Sequence, residues 1–196
     1  EYAVPEKLTA AGIRRYGFHG LSYDWIARRL QEQAPQLYAG RVVVAHLGNG
    51  SSLCALKGGR SIDTTMGMTA TEGLPMGTRS GSIDPGAIFF MQRSLGMSVN
   101  EVEKTLNSES GLKGMSGLSN DVRTLLESPD PRAKFALDYF ALKVAQHIAL
   151  MAVSIGGIDG LVFTGGIGQH ADTVRAAILE RIDFLKVPEI LVMPTD

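Results

Sequence analysis

The chain has 196 residues, 44% apolar and 20% charged, with a formal net charge of −1. That is enough chain to bury a core as one large domain or two small ones. The near-zero charge gives nucleic acid or an anionic lipid surface no electrostatic handle, so neither is expected as a partner. One cysteine, Cys54, excludes an internal disulfide and fits a reducing, cytoplasmic compartment. The longest apolar segment, 135–158, is interrupted by Asp138, Lys143, Gln146 and His147, which argues against a membrane span, and no signal peptide is visible. The sequence opens on Glu1 without an initiator methionine and stops just after the apolar run ILVMP. Both ends read as cut, so a piece of a longer protein is expected.

Residues 22–33 place Trp25, Ile26 and Leu30 on one helical face and Arg28, Arg29 and Glu32 on the other, with Ser22 as N-cap. RVVVA (41–45) then reads as a buried strand, 51–57 as a second and 60–64 as a third, joined by the glycine turns HLGNG and KGG. Residues 65–86 are rich in glycine and poor in apolar runs, the pattern of a long functional loop. Pro85-Gly86 introduces a helix over 87–95. A second helix covers 98–106, with Ser98 capping and Glu101 at capping-box spacing. SGLKGMSGLS (110–119) reads as loop, 120–126 as a short helix, and Pro129-Asp130-Pro131 as a break. Residues 133–155 form a long helix, apolar on most of its circumference and therefore largely buried. Strand 160–164 feeds the glycines of GGIG, a helix follows over 171–182, and 186–193 adds a last strand. A meander, then helices, then a strand entering a glycine loop make an α/β layered domain.

Four stretches carry candidate chemistry. In HLGNGSS (46–52), Gly48 and Gly50 let backbone amides converge on an anion, with Asn49 as an added donor. The same residues also make an ordinary Asn-Gly hairpin. His46 tilts the choice, because a strand of apolar residues gains little from an imidazole. FTGGIGQH (163–170) is a strand, glycines, then a helix, which suits phosphate or nucleotide, or simply close packing of helix on strand. It lacks the Walker sequence and the dinucleotide-fold spacing. In GMTATEGLPMGTRSGSIDPG (67–86), Arg79 lies among glycines where a guanidinium can meet a phosphoryl or carboxylate group, or merely solvent. Asp84 there is a helix N-cap before Pro85 or has a catalytic role. In RRYGFHGLS (14–22), His19 either donates to an oxyanion or packs.

Together these stretches resemble the acetate kinase family, of the acetate and sugar kinase, Hsp70 and actin superfamily. The match runs through RRYGFHG (14–20), HLGNGSS (46–52), GRSIDTTMG (59–67), GLPMGTRSGSIDPG (73–86), SGLSNDVR (116–123) and VFTGGIG (162–168), in order and over nearly the whole chain. The resemblance implies a ribonuclease-H-like (actin-like ATPase) domain with a mixed β-sheet flanked by helices. It also implies transfer of a phosphoryl group between ATP and acetate with Mg²⁺, giving acetyl phosphate and ADP. Carried over by position, His46, Gly48, Asn49 and Gly50 face the nucleotide phosphates. His19 and Arg79 are catalytic, lying against the transferring phosphoryl group and the acetate carboxylate. Asp121, Val122 and Arg123 flank the adenosine, and Gly166, Ile167 and Gly168 cover its base.

Three departures stand out: Leu21 and Tyr23 where Thr and His are usual, Ser82 where Asp is usual, and Gln169-His170 in place of Glu-Asn. The resemblance further implies that 1–196 is the nucleotide-binding half of a two-domain enzyme, inactive alone, forming a homodimer through this half, with metal ligands mainly elsewhere. Propionate or another short-chain carboxylate is the alternative substrate. A non-catalytic adenine-nucleotide-binding actin-like module is an alternative of another class, and a nicotinamide enzyme a third.

Overall fold

In the computed structural model, which describes residues 1–195, a five-stranded sheet runs in the order β3-β2-β1-β4-β5. Strands β1 (Arg41–Leu47), β2 (Ser51–Lys57) and β3 (Arg60–Thr64) are the antiparallel meander. Strands β4 (Gly160–Thr164) and β5 (Glu189–Val192) add in parallel on the other side of β1. Around it lie α1 (Glu6–Ala10), α2 (Gly20–Gln33), α3 (Pro35–Ala39), α4 (Pro85–Arg93), α5 (Val99–Ser108), α6 (Gly111–Ser116), α7 (Val122–Glu127), α8 (Pro131–Ile155), α9 (Gly165–His170) and α10 (Asp172–Arg181). This is the mixed sheet with flanking helices that the resemblance implies.

The two-residue period of a strand decides which side chains go where. On one sheet face Val43, Ala45, Leu53, Ala55, Leu161 and Phe163 pack against Phe140, Val144 and Ile148 of α8. On the other, Val42, Val44, Cys54, Leu56 and Val162 pack against Tyr23, Ile26 and Leu30 of α2 and Leu37 of α3. By the same parity His46 projects on the α2 side, because β1 runs two residues further than its apolar run suggested.

Helix α8 buries a stripe at helical spacing, Ala133, Ala136, Phe140, Val144, Ile148 and Ile155 among it, rather than most of its circumference. Phe135, Leu142, Leu150 and Val153 are exposed. By length and composition alone this helix is apolar enough to cross a membrane, despite its interrupting polar residues; its buried stripe packs on the sheet as core.

Several local expectations need correcting. Ser22 is not the N-cap of α2; it lies inside the first turn, and His19 occupies the cap position with left-handed backbone (φ 60°, ψ 23°). Residues 110–119 are not loop throughout. Their glycines lower helix propensity, yet α6 forms because buried Leu112 joins the α8 core and its amide donates to Met76 O at 2.9 Å. GGIG is likewise not an open loop but the first turn of α9. Gly165, at φ +76°, turns β4 directly into that helix, and a Cβ there would lie 2.6 Å from Leu47 O. The last strand is shorter than expected, and the short α1 and α3 were not anticipated. The capping box at Ser98 and Glu101 is present. Asp84 caps α4, accepting from Gly86 N at 2.7 Å, which fits the structural of its two readings.

Candidate active site

Three elements meet at the C-terminal end of β1. His46 comes from the strand, and its Nδ1 lies 2.9 Å from Ser22 Oγ on α2. His19, at the start of α2, stacks on His46 with ring centroids 4.2 Å apart and planes 28° from parallel. A left-handed non-glycine residue costs on the order of 1–3 kcal/mol and persists only where its surroundings fix it. Here His19 Nδ1 lies 2.8 Å from Ser52 Oγ of β2, and that hydroxyl also bonds the Tyr23 hydroxyl. Arg79 arrives from the 65–84 loop, its guanidinium donating to Ala70 O at 3.2 Å. A Cβ added to Gly50 would lie 3.4 Å from Arg79 Nη1 and 3.5 Å from His19 Nε2. So the guanidinium and the imidazole converge over the β1–β2 turn, and Gly50 leaves them room.

The turn is a closed hairpin that leaves two of its amides free. Gly48 N–H donates to Gly50 O at 3.1 Å and to Ser51 Oγ at 3.2 Å, so this amide closes the hairpin and does not face an anion. The amides of Asn49 and Gly50 make no hydrogen bond among the described residues. The Asn49 carbonyl accepts from Gly77 N at 3.0 Å and its Oδ1 from Asn120 Nδ2 at 2.9 Å. Asn120 was not singled out from the sequence, although it sits inside the SGLSNDVR match.

Beyond the turn lies a cavity of about 480 Å³, within the size range of small-molecule sites. Its walls include Gly48 and Asn49, then Asp121, Val122 and Arg123 at the start of α7, and Gly166 and Ile167 on α9. Segments more than 40 residues apart in sequence thus line one space. Asp121 also caps α7, accepting from Arg123 N at 2.8 Å, and pairs with the exposed Arg123 guanidinium. Gly168 stands apart: it is buried, with a would-be Cβ 3.5 Å from Phe163 C and 3.6 Å from Ala45 O. It lets α9 sit on the strands and does not line the cavity. A larger hollow of about 620 Å³ beside β3, lined by Arg15, Glu72 and His147 among others, contains none of the expected residues.

Burial and the neighbouring His19 push the His46 imidazole down to about 4. Burial, and secondarily the Arg79 charge, lower His19 as well. Both rings are therefore neutral near neutral pH, and Arg79 supplies the cluster's permanent charge. Since the folded form of His46 takes up its proton at lower pH than the ordinary value of 6.5, acid favours the unfolded chain. Stability is expected to fall as pH drops from about 6.5 towards 4, and His46→Gln should flatten that slope. Urea midpoints at intervals between pH 7 and 5 read this directly; identical slopes in both proteins would refute a neutral buried His46.

Among the described residues no group of three or more His, Cys, Asp and Glu side chains could hold a metal ion.

The sequence profile of the acetokinase family matches residues 1–189. The acetate kinase of Nitrobacter hamburgensis is 50% identical over 186 residues, an alignment covering 95% of this chain and 46% of that protein. Among solved structures, the acetate kinase of Porphyromonas gingivalis superposes with a TM-score of 0.93 at 32% identity, over 100% of this chain and 56% of that one. A propionate kinase of Francisella tularensis gives 0.94 at 37% identity, with the same coverage. The chain thus spans about half the length of the curated relatives it matches.

Proposed function

The chain belongs to the acetokinase family, and from that premise we propose that it is the nucleotide-binding half of a cytoplasmic enzyme moving the γ-phosphoryl group of ATP to acetate. The reaction is reversible and direct: an acetate oxygen attacks phosphorus in line as the bond to the ADP oxygen breaks. The observation that carries this reading is the convergence of Arg79, His19 and His46 over the β1–β2 turn, next to the cavity between α7 and α9.

Adenosine occupies that cavity, with Val122 and Ile167 as apolar walls. The unengaged amides of Asn49 and Gly50, with the Asn49 side chain, meet the phosphates. Arg79 and His19 meet the transferring group, where a fixed cation and a neutral donor offset charge on its equatorial oxygens. No general base is required, since acetate is ionised near neutral pH. Mg²⁺ would screen the phosphate charge. Three metal-binding side chains do not gather among the described residues, so no step here is assigned to a metal, whose ligands we place mainly outside this chain. We further propose that residues 1–196 are a single domain of a two-domain protein that dimerises through this half. Acetate is proposed over propionate because the curated relatives are named acetate kinases.

The test is ATP formation from acetyl phosphate, ADP and Mg²⁺ by the full-length enzyme, beside ADP titration of the 196-residue chain. Turnover by the former, and weak ADP binding without turnover by the latter, are expected. Nucleotide binding without turnover in the full-length protein would transfer the assignment to a non-catalytic actin-like module. Absence of ADP binding in both would reject the reading. Competition between acetate and propionate then fixes the acid, and sedimentation reads the dimer.

A further inference from the structure

The buried hydroxyls behind His19 belong to none of the roles above. Tyr23 of α2 is 5% exposed and Ser52 of β2 fully buried. The Tyr23 hydroxyl bonds Ser52 Oγ, and Ser52 Oγ bonds His19 Nδ1 at 2.8 Å. Neither hydroxyl has another hydrogen-bond partner among the described residues. Tyr23 is also one of the three departures from the usual family pattern that the sequence shows.

Counting hydrogens orients the chain. A buried phenol has one hydrogen and must place it on an acceptor. The acceptor in reach is Ser52 Oγ, so Tyr23 donates to Ser52. Ser52 then has one hydrogen of its own and one remaining partner, Nδ1 of His19, so Ser52 donates to Nδ1. A neutral imidazole whose Nδ1 accepts carries its hydrogen on Nε2. Nε2 is the atom that faces Gly50 and Arg79 over the turn. The reverse order, with Nδ1–H donating to Ser52 and Ser52 to Tyr23, would strand the phenol hydrogen in a buried site.

We propose that Tyr23 and Ser52 are a positioning pair that holds His19 as its Nε2–H tautomer, with that hydrogen presented to the group lying over the β1–β2 turn. The pair acts through His19 and touches no substrate. It rests on the proposed function only for the identity of that group, the transferring phosphoryl. The lowered proton affinity of His19 is what makes its tautomer, rather than its charge, the property to be set. The left-handed backbone of His19 is consistent with a ring held from behind, since α2 cannot relax there without breaking the contact with Ser52.

Ring ¹⁵N spectra of the 196-residue chain near pH 7 test the pair without any assay of activity. The His19 signals should show a bare, hydrogen-bonded Nδ1 and a protonated Nε2. Ser52→Ala should give both tautomers. A hydrogen on Nδ1 in the unmodified protein, or an unchanged single tautomer in Ser52→Ala, would overturn the proposal. The first of these readings needs no variant, so a misfolded Ser52→Ala leaves the idea open to refutation. In the full-length enzyme, Ser52→Ala should lower kcat by roughly 10- to 100-fold, the scale of a misplaced reacting group, with the nucleotide KM little changed. Ser52→Thr should recover much of it, and Tyr23→Phe should show a smaller loss, since Ser52 still reaches Nδ1. Wild-type kcat in both Ser52→Ala and Tyr23→Phe would refute the positioning role. A full-length enzyme without turnover would instead count against the proposed function, with the tautomer result standing by itself.

Discussion

Arg79→Ala in the full-length enzyme is expected to lower kcat by about 10³-fold or more, the scale associated with an arginine that stabilises a transferring phosphoryl group. ADP affinity should change only a few-fold, because the cavity walls on α7 and α9 do not include Arg79. Arg79 is aimed by its backbone as well as by its own contacts. Met76 N donates to Arg79 O at 3.0 Å and Ser110 N to Thr78 O at 3.0 Å, so the peptide on each side is tied down. The guanidinium is then braced by Ala70 O and the Met76 thioether. A lysine keeps the charge but loses the planar fork, so Arg79→Lys should recover little of the lost rate. A second readout is independent of turnover. Because the Arg79 charge lowers the proton affinity of His19, Arg79→Ala should raise the His19 titration midpoint. A variant that weakens ADP binding strongly while kcat is unchanged would place Arg79 in nucleotide binding rather than in transfer.

How much of this was legible before the fold was known depends on whether a feature is local. The meander was readable because short runs of strand residues alternate with glycine turns, and β2 and β3 carry the expected bounds. The caps at Ser98 and Asp84 were readable because an N-cap and its partner lie within three residues. His46 could be assigned to the α2 face only once β1 was seen to extend through Leu47, since an imidazole and a leucine after the apolar run look like the onset of a turn. The helices α6 and α9 were hidden by their glycines: α6 is held by bonds to the Met76 and Gly77 carbonyls, and Gly165 is required where the chain enters α9 close against Leu47. The hydrogen-bond partners within the site were the least legible. Asn49 with Asn120, and His19 with Ser52, join segments that only sheet pairing and the long loop bring together. A motif can name residues that share a site, but it cannot say that the Gly48 amide is already used by Gly50 O.

That long loop yields the largest expected effect on stability. Residues 65–84 have no regular strand or helix, yet they bring Arg79 over the turn, its Nη1 3.4 Å from where a Cβ on Gly50 would lie. Their order comes from α6: Leu112 N donates to Met76 O and Lys113 N to Gly77 O, both at 2.9 Å. Gly111 opens that helix at φ +61°, and a Cβ there would overlap Met76 O and lie 2.7 Å from Arg79 O. Both obstacles are backbone, so no side chain can swing aside. Gly111→Ala should therefore add overpacking strain, about 1–3 kcal/mol, to the cost of a left-handed alanine, about 1–2 kcal/mol. Gly96→Ala separates the two, because Gly96 has a similar φ of +69° with nothing within 4 Å of its would-be Cβ. In urea, Gly96→Ala should show only the backbone cost and Gly111→Ala roughly twice that or more, with unchanged m in both. In the full-length enzyme Gly111→Ala should also depress kcat, as the displaced Met76 carbonyl carries Arg79 with it, whereas Gly96→Ala should not. Equal midpoints for the two variants would mean that the loop yields freely to a methyl group. A loop that loose could not hold a guanidinium over the turn.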